Sequence, residues 1–303
     1  MTDPLAPGST IGILGGGQLG RMAALAAYPL GYRVHVYTPK ADDPATQVTD
    51  RATIAPYDDA EALAAFASDV DVVTYEFENV PARTAEILGE SVPLRPRPGI
   101  LAICQDRLRE KDFLRDHGIP TTEYAEVTSQ AGLAQALAPK VVGKPAVLKT
   151  VRGGYDGKGQ VMIGPQTDAK AAWAEMAGSA EEPVGILEAF VDYALEASVI
   201  VARAADGTIK SYVPVENRHE NHVLARTIAP ADLSPKTARL ATDVAHAVAH
   251  AIDLVGVMGV ELFVTPDGEV LVNELAPRPH NSGHWTLDAC GASQFEQFIR
   301  AVA

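Results

Sequence analysis

Two glutamates near the C-terminal end of the sequence have the type and spacing needed to bind a metal ion. The segment VELFVTPDGEVLVNEL, residues 260–275, has the alternation of two strands joined by a turn. We place Asp267 and Gly268 at the centre of the loop. In that register Glu261 lies opposite Glu274, and two facing carboxylates repel each other unless a cation lies between them. Because carboxylates bind Mg²⁺ at nucleotide sites, the hairpin predicts a magnesium site.

The magnesium prediction depends on the register of this hairpin. The same pairing places Leu262 opposite Asn273. A slip of one residue would move one glutamate to the other face of the sheet. The two side chains would then be exposed strand glutamates with no shared ligand, and this alternative stays open.

A glycine-rich segment in the middle of the chain is typical of a lid over phosphates. Residues 153–159, GGYDGKG, contain four glycines between two strand-like stretches and lack the Gly-Lys-Ser/Thr pattern of a P-loop. Backbone N–H groups on such a tip bind phosphates without side-chain clash. Lys149 on the preceding strand and Lys158 on the tip are placed to pair with nucleotide phosphates. The alternative is an ordinary exposed hairpin turn.

The segment LAPRPHNSGHWT, residues 275–286, is predicted to form a rigid loop that binds a polar ligand. It follows the second glutamate and combines prolines and a glycine with hydrogen-bonding side chains. These side chains are Arg278, His280, Asn281, Ser282 and His284. The alternative is a loop whose side chains bond only to its own backbone.

A further glycine motif lies near the N-terminus, where Gly15, Gly17 and Gly20 fit G-x-G-x-x-G between a strand and a helix. Glycines there allow a ligand to approach the helix N-terminus, which attracts phosphate. One interpretation is an NADP-dependent oxidoreductase, because Lys40 follows the second strand and would suit a 2′-phosphate. We favour a phosphate site for another ligand. A tight turn that needs glycine is the third interpretation.

The elements that must position these residues alternate between strand and helix. The first 100 residues read as β–α–β units, with a helix near 59–68, and this pattern is typical of a doubly wound parallel sheet. The proline-rich segment 91–99 indicates a domain boundary. Beyond it we predict a helix over 101–117, then further strands and helices, including one long helix over 235–254.

The composition disfavours several classes of protein. The 303 residues carry a formal net charge of −14, which is unsuited to coating nucleic acid or an anionic membrane. Hydrophobic residues make up 47%, as in a globular protein with a core, and no apolar run reaches the length of a membrane span. Cys104 and Cys290 belong to no metal-binding or disulfide pattern. With no signal-peptide pattern, we expect a cytoplasmic protein.

Several motifs together resemble the ATP-grasp superfamily and, within it, the family of 5-(carboxyamino)imidazole ribonucleotide synthetases. The general resemblance lies in Lys149, the glycine-rich lid, VGILEAFV, and the glutamate hairpin with its following loop. The narrower resemblance lies in GGGQLGRM (15–22), EFENV (76–80), RGGYDGKGQ (152–160) and NELAPRPHNSGHWT (273–286). It covers nearly the whole chain.

The resemblance implies a fold and a division into domains. The fold class is α/β, with α+β character in the ATP-grasp part, so that an N-terminal doubly wound parallel sheet precedes two α+β subdomains. We expect an N-terminal domain over 1–100, a central subdomain with the lid over 101–187, and a large subdomain with the metal site over 188–303. Family members usually continue for several tens of residues, so we expect a C-terminal lobe to be absent here.

The resemblance also assigns residues to ATP and Mg²⁺. Those expected at the nucleotide are Arg107, Lys149, Gly154, Tyr155, Asp156, Gly157, Lys158, Gly159, Gln160, Glu188, Ala189, Phe190, Val191, Glu196, His219, Asn273 and Glu274. Arg107 and Lys149 would approach the phosphates and base, while Glu188 and the backbone after it would read the adenine edge. Glu196 would bind the ribose hydroxyls. Glu261 and Glu274 would hold Mg²⁺.

The remaining assigned residues concern the other two substrates. Those expected to contact 5-aminoimidazole ribonucleotide are Gly17, Gln18, Leu19, Glu76, Tyr155 and His284. Those expected to act in catalysis, by positioning bicarbonate or the carboxyphosphate made from it, are Arg278, His280, Asn281 and Ser282, with Asp156 at the ribonucleotide.

The activity implied is that of a ligase of de novo purine biosynthesis. Bicarbonate attacks the γ-phosphate of ATP, and the resulting carboxyphosphate carboxylates the exocyclic amine of the ribonucleotide, leaving ADP and phosphate. The implied partners are these small molecules and a second copy of the chain, with no nucleic acid and no membrane. Two alternatives stay open: another ATP-grasp ligase, and a non-catalytic ATP-binding protein that lacks the C-terminal lobe.

Overall fold

The computed structural model describes residues 4–49, 51–153 and 159–303, and the first of its three sheets is parallel. The strands of this sheet are β1 (Thr10–Leu14), β2 (Arg33–Thr38), β3 (Arg51–Ile54) and β4 (Val72–Tyr75). They pair in the order β3-β2-β1-β4. The chain crosses from β3 to the far side of β1, so the carboxyl ends of β1 and β4 form the crevice in which such sheets bind ligands.

Helices cover both faces of the first sheet, as the predicted doubly wound arrangement requires. They are α1 (Gln18–Ala27), α2 (Ala60–Ser68) and α3 (Ala82–Gly89). On one face Ala23 of α1 packs in a core with Ile11. On the other face Leu63 of α2 and Leu88 of α3 pack in a core with Leu14. The predicted fold class of this part of the chain is confirmed.

The helix predicted over 101–117 is two helices in the structure. These are α4 (Pro98–Cys104) and α5 (Arg107–Asp116). The Asp106 carboxylate accepts the Arg109 N–H at 3.1 Å and so caps the start of α5. The prediction of a single helix was wrong. Both halves of the segment favour helix, and the sequence does not show that the Asp106 side chain turns back to cap a second helix.

The second sheet is antiparallel and carries the glycine-rich hairpin. Its strands are β5 (Tyr124–Val127), β6 (Ala146–Thr150), β7 (Gln160–Ile163) and β8 (Gly185–Ala189), with α6 (Gln130–Ala136) and α7 (Ala169–Ala177) packed beside them. The strand order is β5-β8-β6-β7, and Lys149 pairs with Gln160 where the hairpin leaves the sheet. The expected domain boundary between residues 187 and 188 falls inside β8.

The third sheet is antiparallel and contains the glutamate hairpin. Its strands are β9 (Leu195–Arg203), β10 (Ile209–Ser211), β11 (Val215–Glu220), β12 (Val223–Ile228), β13 (Gly256–Val264) and β14 (Val270–Ala276). The order is β12-β11-β9-β13-β14, and β10 pairs with β9. The long predicted helix is α8 (Pro235–Ala251), whose Ala241 and Val248 pack in the core beneath this sheet.

Two short helices, α9 (Thr286–Ala289) and α10 (Gln294–Val302), close the described chain. Phe295 and Phe298 of α10 pack with Ile11 of the first sheet and Ile200 of the third. The first and third sheets therefore share one core, which fixes the N-terminal glycine motif relative to the glutamate hairpin. None of the helices in the described part of the chain is long and apolar enough to cross a membrane.

Candidate functional site

A cleft of about 590 Å³ lies between the second and third sheets. It brings together most of the predicted site residues that the structure describes, although they come from distant parts of the chain. Those on its wall are Arg107, Lys149, Gly159, Gln160, Glu196, His219, Glu261, Asn273, Glu274, Arg278, His280 and Asn281. Lys149 from β6 and Arg107 from α5 bring positive charge to a cleft whose other wall carries the two glutamates.

Glu261 and Glu274 pair directly across β13 and β14, as the hairpin pattern predicts. The predicted register nearer the turn was wrong, because Leu262 pairs with Val272 and not with Asn273. A β-bulge between the two regions inserts one extra residue on β14. The loop at the tip of this hairpin is one residue longer than predicted, and the extra residue at the bulge brings Glu261 and Glu274 back into register.

The two carboxylates have opposite electrostatic environments. Enclosure by the cleft walls, and next the neighbouring Glu261, raise the pKa of Glu274 above its usual range. Burial acts in the same direction on Glu261, but the hydrogen bond and charge of His280 outweigh it and hold the pKa of Glu261 below its usual range. The His280 Nε2 lies 3.0 Å from a Glu261 oxygen. Within the described part of the chain, no cationic side chain forms an ion pair with Glu274.

His280 is held by a chain of buried polar groups behind the cleft. Its Nδ1 lies 2.8 Å from the Ser282 Oγ, which is 2.6 Å from the Ser198 Oγ on β9. The Ser198 hydroxyl also donates to the Asn217 Oδ1 at 3.4 Å. Ser282 is fully buried and does not reach the cleft wall. Ser282 therefore orients the His280 imidazole, and its part in positioning bicarbonate stays a prediction.

Arg278 is bound by a carboxylate that the sequence interpretation passed over. The Glu78 side chain, from the segment after β4, accepts the Arg278 Nη2 at 2.9 Å and also bonds its Nε. Burial would raise the pKa of Glu78, but Arg278 holds it below its usual range. The sequence EFENV contained the information needed to find Glu78, because alternate residues of an extended segment lie on the same side and Glu78 alternates with Glu76. The sequence interpretation selected Glu76 alone.

Lys149 and Glu188 form a buried ion pair with 2.7 Å between Nζ and Oε2. Burial would raise the pKa of Glu188, but Lys149 and then Lys111 hold it below its usual range. The Glu188 carboxylate therefore orients Lys149, and the role of Glu188 at the adenine edge stays a prediction.

The Val191 N–H, just after β8, is a donor that is available to a nucleotide base. The Ala189 and Phe190 N–H groups donate to Glu123 and Pro145 carbonyls at 2.8 and 3.1 Å. Among the described residues, no hydrogen bond is made by the Val191 N–H. Of the predicted adenine-reading segment, Val191 therefore retains the N–H donor.

Glu196 and His219 are paired on the β9 and β11 wall of the cleft. This contact raises the pKa of His219. Tyr193, which was not predicted, stacks on Phe263 with 4.8 Å between ring centroids, and its hydroxyl bonds Glu196. Burial and that bond raise the pKa of Tyr193 to about 12. Glu196 is thus fixed by two protein groups beside the space predicted for the ribose.

The N-terminal glycine motif binds a carboxylate of the protein itself. The Gly17 and Gly20 N–H groups donate to Glu76 at 2.8 and 3.0 Å. A Cβ on Gly17 would meet the Glu76 Oε1 at 2.5 Å, which explains the glycine. Burial raises the pKa of Glu76. The pyrophosphate place of a dinucleotide is therefore occupied, and the NADP interpretation is not supported.

Three further predicted contacts with the ribonucleotide lie away from the cleft wall. Gln18 is exposed at the start of α1 and Leu19 is half-buried. His284 stacks on Phe295, with 5.7 Å between ring centroids, and lies 3.4 Å from the Gln294 amide nitrogen. The predicted lid residues lie outside the described residues: Gly154, Tyr155, Asp156, Gly157 and Lys158.

The sequence interpretation missed the β11–β12 hairpin as a wall of the cleft. Its tip residues Asn221 and His222 both have positive φ, 51° and 66°, as a two-residue hairpin turn requires. The residues it adds to the wall are Asn221, His222, Val223 and Leu224. The His222 Nδ1 lies 3.4 Å from the Gln160 amide nitrogen, so the hairpin reaches the base of the glycine-rich lid. An Asn-His turn between polar strands was the available signal.

The donor atoms in the cleft fit a hard divalent cation that is shared with a ligand. Within the described ranges, no three His, Cys, Asp or Glu side chains gather to hold a metal by themselves. Glu261, Glu274 and Asn273 supply oxygens from one wall. Mg²⁺ is commonly bound by one or two carboxylates together with substrate phosphates, so an incomplete protein set is the expected one.

The fold and the cleft define a nucleotide-binding enzyme of the ATP-grasp class. The family model described as an ATP-grasp domain matches residues 112–295, and the ribonucleotide synthetase preATP-grasp domain matches residues 8–105. The chain is 48% identical over 299 residues to the N5-carboxyaminoimidazole ribonucleotide synthase of Brucella melitensis, covering 99% of this chain and 82% of the relative. The chain belongs to the N5-carboxyaminoimidazole ribonucleotide synthase family.

Other relatives are similar over the same length of this chain. The bifunctional purine synthesis protein purC/E of Dictyostelium discoideum is 47% identical over 303 residues. The match covers 98% of this chain and 30% of that protein. A structure described as the ADP complex of an N5-carboxyaminoimidazole ribonucleotide synthetase superposes with a TM-score of 0.94 at 44% identity, covering 100% of this chain and 78% of that one.

A fungal structure adds a second ligand to the comparison. The Aspergillus clavatus N5-carboxyaminoimidazole synthase in complex with ADP and 5-aminoimidazole ribonucleotide superposes with a TM-score of 0.89. It is 31% identical, and the match covers 98% of this chain and 77% of that one.

Proposed function

We propose that the chain catalyses the ATP- and bicarbonate-dependent carboxylation of 5-aminoimidazole ribonucleotide to 5-(carboxyamino)imidazole ribonucleotide, with ADP and phosphate as products. The observation that carries the proposal is the cleft, in which Lys149 and Arg107 meet the Glu261–Glu274 pair within a chain of this family. Cations on one wall and paired carboxylates on the other suit a nucleotide triphosphate with its metal ion.

ATP is the substrate that occupies the cleft in this proposal. Lys149, oriented by Glu188, and Arg107 bind the phosphates, and the Val191 N–H binds the adenine edge. Glu196, fixed by His219 and Tyr193, accepts hydrogen bonds from the ribose hydroxyls. The glycine-rich lid ends at Gly159 and Gln160 on the cleft wall and excludes water during the transfer.

Glu261, Glu274 and Asn273 hold Mg²⁺ on the facing wall. When bound, the ion neutralises charge on the phosphates. The repulsion between the two glutamates is then relieved. The His280 Nε2 donates to one Glu261 oxygen at 3.0 Å. The orientation of the Glu261 carboxylate is therefore set by a protein contact before the nucleotide arrives.

Bicarbonate and the carboxyphosphate made from it bind beside Arg278, His280 and Asn281. Arg278 is fixed by Glu78, so its charge is held at one place on the wall as the γ-phosphate is attacked. Carboxyphosphate then carboxylates the exocyclic amine of the ribonucleotide. The ribonucleotide lies between this point and the N-terminal motif, where Gly17, Gln18 and Leu19 adjoin Glu76. Tyr155, Asp156 and His284 complete the proposed set.

The test is ADP release with ATP, Mg²⁺ and bicarbonate, in the presence and absence of 5-aminoimidazole ribonucleotide. We expect release that depends on the ribonucleotide, with a full-length relative as the positive control. Release independent of the ribonucleotide would indicate an ATP-grasp ligase with another acceptor. ATP binding without release under either condition would indicate a non-catalytic nucleotide-binding protein. Either result would contradict the proposal.

The assembly state and compartment belong to the same proposal. The family resemblance supports a homodimer acting in the cytoplasm. Leu25 and Leu287 line an apolar groove on the surface and are 49% and 45% exposed, so the chain has an apolar face on which a copy can pack. Light scattering after gel filtration measures the mass directly, and a monomer at micromolar concentration would contradict the dimer.

A further inference from the structure

The β-bulge in β14 decides whether the two cleft glutamates face each other. Between the turn and the bulge, Leu262 pairs with Val272. Continued without the bulge, that register would pair Glu261 with Asn273. Because side chains alternate between the two faces of a strand, Glu274 would then point away from the cleft. The extra residue brings Glu274 opposite Glu261 and leaves Asn273 on the same wall.

Two consecutive residues of α5 bind the backbone on either side of this bulge. The Lys111 Nζ donates to the Val272 and Asn273 carbonyls at 3.2 and 2.8 Å. The Glu110 Oε2 accepts the Leu275 N–H at 3.0 Å. The peptide groups before and after Glu274 are therefore bound to one helix. β14 lies at the edge of its sheet, where Val272 makes an isolated bridge with Thr121 and no full strand pairs on that side in the described part of the chain.

Thr121 completes this brace from the segment that leads into β5. Its hydroxyl donates to the Val272 carbonyl at 2.8 Å and accepts from the Lys111 Nζ at 2.8 Å. The ammonium group thus has three acceptors for its three N–H donors. Each of these three hydrogen bonds is directed to the bulge or to the threonine that holds the same carbonyl.

The burial of these two side chains indicates that their hydrogen bonds to the bulge are the reason for their position. Lys111 is 1% exposed and Glu110 is 3% exposed. A buried ammonium or carboxylate is costly unless it is fully hydrogen-bonded, and an apolar pair of similar size would pack as well. What an apolar pair cannot do is bind two carbonyls and one N–H of a bulged edge strand. The charged pair provides these contacts.

We propose that Glu110 and Lys111 are positioning residues, which hold the β14 bulge and so direct Glu274 toward Glu261. The inference rests on the proposed metal site and extends it, since neither residue touches the cleft wall. It assigns them an effect on metal affinity and on the order of the bulge. It assigns them no contact with nucleotide or bicarbonate.

The test measures Mn²⁺ binding in the presence of ADP, from the electron paramagnetic resonance signal of free Mn²⁺. Lys111→Met keeps the length of the side chain and removes its donors, and we expect metal affinity to fall about tenfold or more, as for other residues that orient ligands. Thr121→Val removes one hydrogen bond with little change in size, and we expect a fall of about fivefold. ADP affinity measured with EDTA should stay within about twofold of wild type in Thr121→Val, as a phosphate-binding role would not allow. The ADP criterion applies to this variant, because Lys111→Met also removes a charge that acts on Glu188.

The matched control is Lys144→Met. Lys144 also donates from its Nζ to two backbone carbonyls, those of Pro165 and Thr167 at 3.5 and 3.1 Å, but on the exposed surface away from the cleft. We expect its metal affinity to match wild type. A similar loss in this control would show that any lysine bound to the backbone has the same effect, and would overturn the assignment.

Hydrogen exchange separates the brace from the metal site. Amides over 272–275 should exchange faster in Lys111→Met and Thr121→Val than in wild type, with no metal present. Glu274→Gln tests the metal site alone, and unchanged Mn²⁺ binding in that variant would overturn the proposed site while leaving the exchange test valid. If Lys111→Met does not fold, Thr121→Val decides. Unchanged exchange and unchanged metal affinity in a folded variant would overturn the inference.

Discussion

The molecule contains two carboxylate centres that differ in how the negative charge is compensated. Glu76, after the first sheet, lies buried and accepts the N–H groups of Gly17 and Gly20. Glu274, on the third sheet, faces Glu261 across a hairpin in an open cleft. Burial raises the pKa of Glu76, and enclosure by the cleft walls raises that of Glu274. In Glu274 the second cause is another carboxylate, whereas in Glu76 backbone donors act against the shift.

The comparison shows how a structure separates a positioning carboxylate from one that binds a ligand. A carboxylate whose oxygens are satisfied by backbone donors stabilises the fold around it. One that faces a like charge destabilises the empty protein and is relieved only by a cation. The predictions below test that distinction through activity and through the free energy of unfolding.

The largest expected effect is that of Glu274→Gln on turnover. Loss of one metal-binding charge should reduce ATP turnover about 100-fold or more, because charge stabilisation in a closed site carries much of the catalysis. The metal-free variant should be at least as stable as wild type, because the repulsion with Glu261 is removed. Steady-state kinetics and urea unfolding measure the two quantities.

The control for this variant lies in the same hairpin. Glu269→Gln removes an exposed charge from the loop between β13 and β14 and should leave turnover unchanged. Turnover of Glu274→Gln within threefold of wild type would rule out the metal assignment. A marked loss of stability would instead place Glu274 with the positioning carboxylates.

The second effect concerns Glu78, which lies two residues after Glu76 but faces the cleft. Glu78→Gln leaves the largely buried Arg278 without a charged partner, and we expect it to lower the free energy of unfolding by about 2 kcal/mol. Glu86→Gln breaks the exposed Arg83–Glu86 pair and should cost less than about 0.5 kcal/mol. Chemical unfolding compares the two, and equal losses would show that Arg278 does not depend on Glu78.

The third effect tests the N-terminal centre by crowding it. Gly17→Ala places a Cβ 2.5 Å from the Glu76 Oε1, although the Gly17 φ of −73° is open to alanine. We expect a loss of about 1–2 kcal/mol from this overpacking. Gly99→Ala, in α4 with nothing within 4 Å, should instead stabilise by up to about 1 kcal/mol. Thermal unfolding measures the change in stability of both variants. An unchanged stability of Gly17→Ala would show that the Glu76 side chain can move away from the added Cβ at no cost.

The smallest effect is a pH dependence at His219. Glu196 raises the pKa of His219 in the folded protein above its ordinary value of 6.5. The resulting stability is fully present below pH 6.5 and is lost as the pH rises through the folded pKa. Because the pair is partly exposed, we expect about 0.5 kcal/mol of difference from His219→Gln at pH 6 and none well above the folded pKa. Unfolding at several pH values measures it, and a pH-independent difference would contradict the ion pair.

Much of the fold and several site contacts follow from local patterns in the sequence. The period of apolar residues and the glycine positions were enough to predict the first sheet, the β6–β7 hairpin, α8, and the facing of Glu261 and Glu274. The family was also identified from the motifs, before any geometry. These features succeed because backbone preference and strand alternation act over a few residues.

Contacts between distant segments were decided only by the tertiary structure. Lys111 and the Asn273 carbonyl are 162 residues apart, and Arg278 and Glu78 are 200 apart. A sequence shows which side chains carry charge, but the partner of a buried charge depends on which strands and helices pack together. For that reason the two glutamates and the glycine loops could be predicted from the sequence. The bulge, its hydrogen bonds to α5, and the contacts of Glu76 with the glycine motif and of Glu188 with Lys149 depend on the tertiary structure.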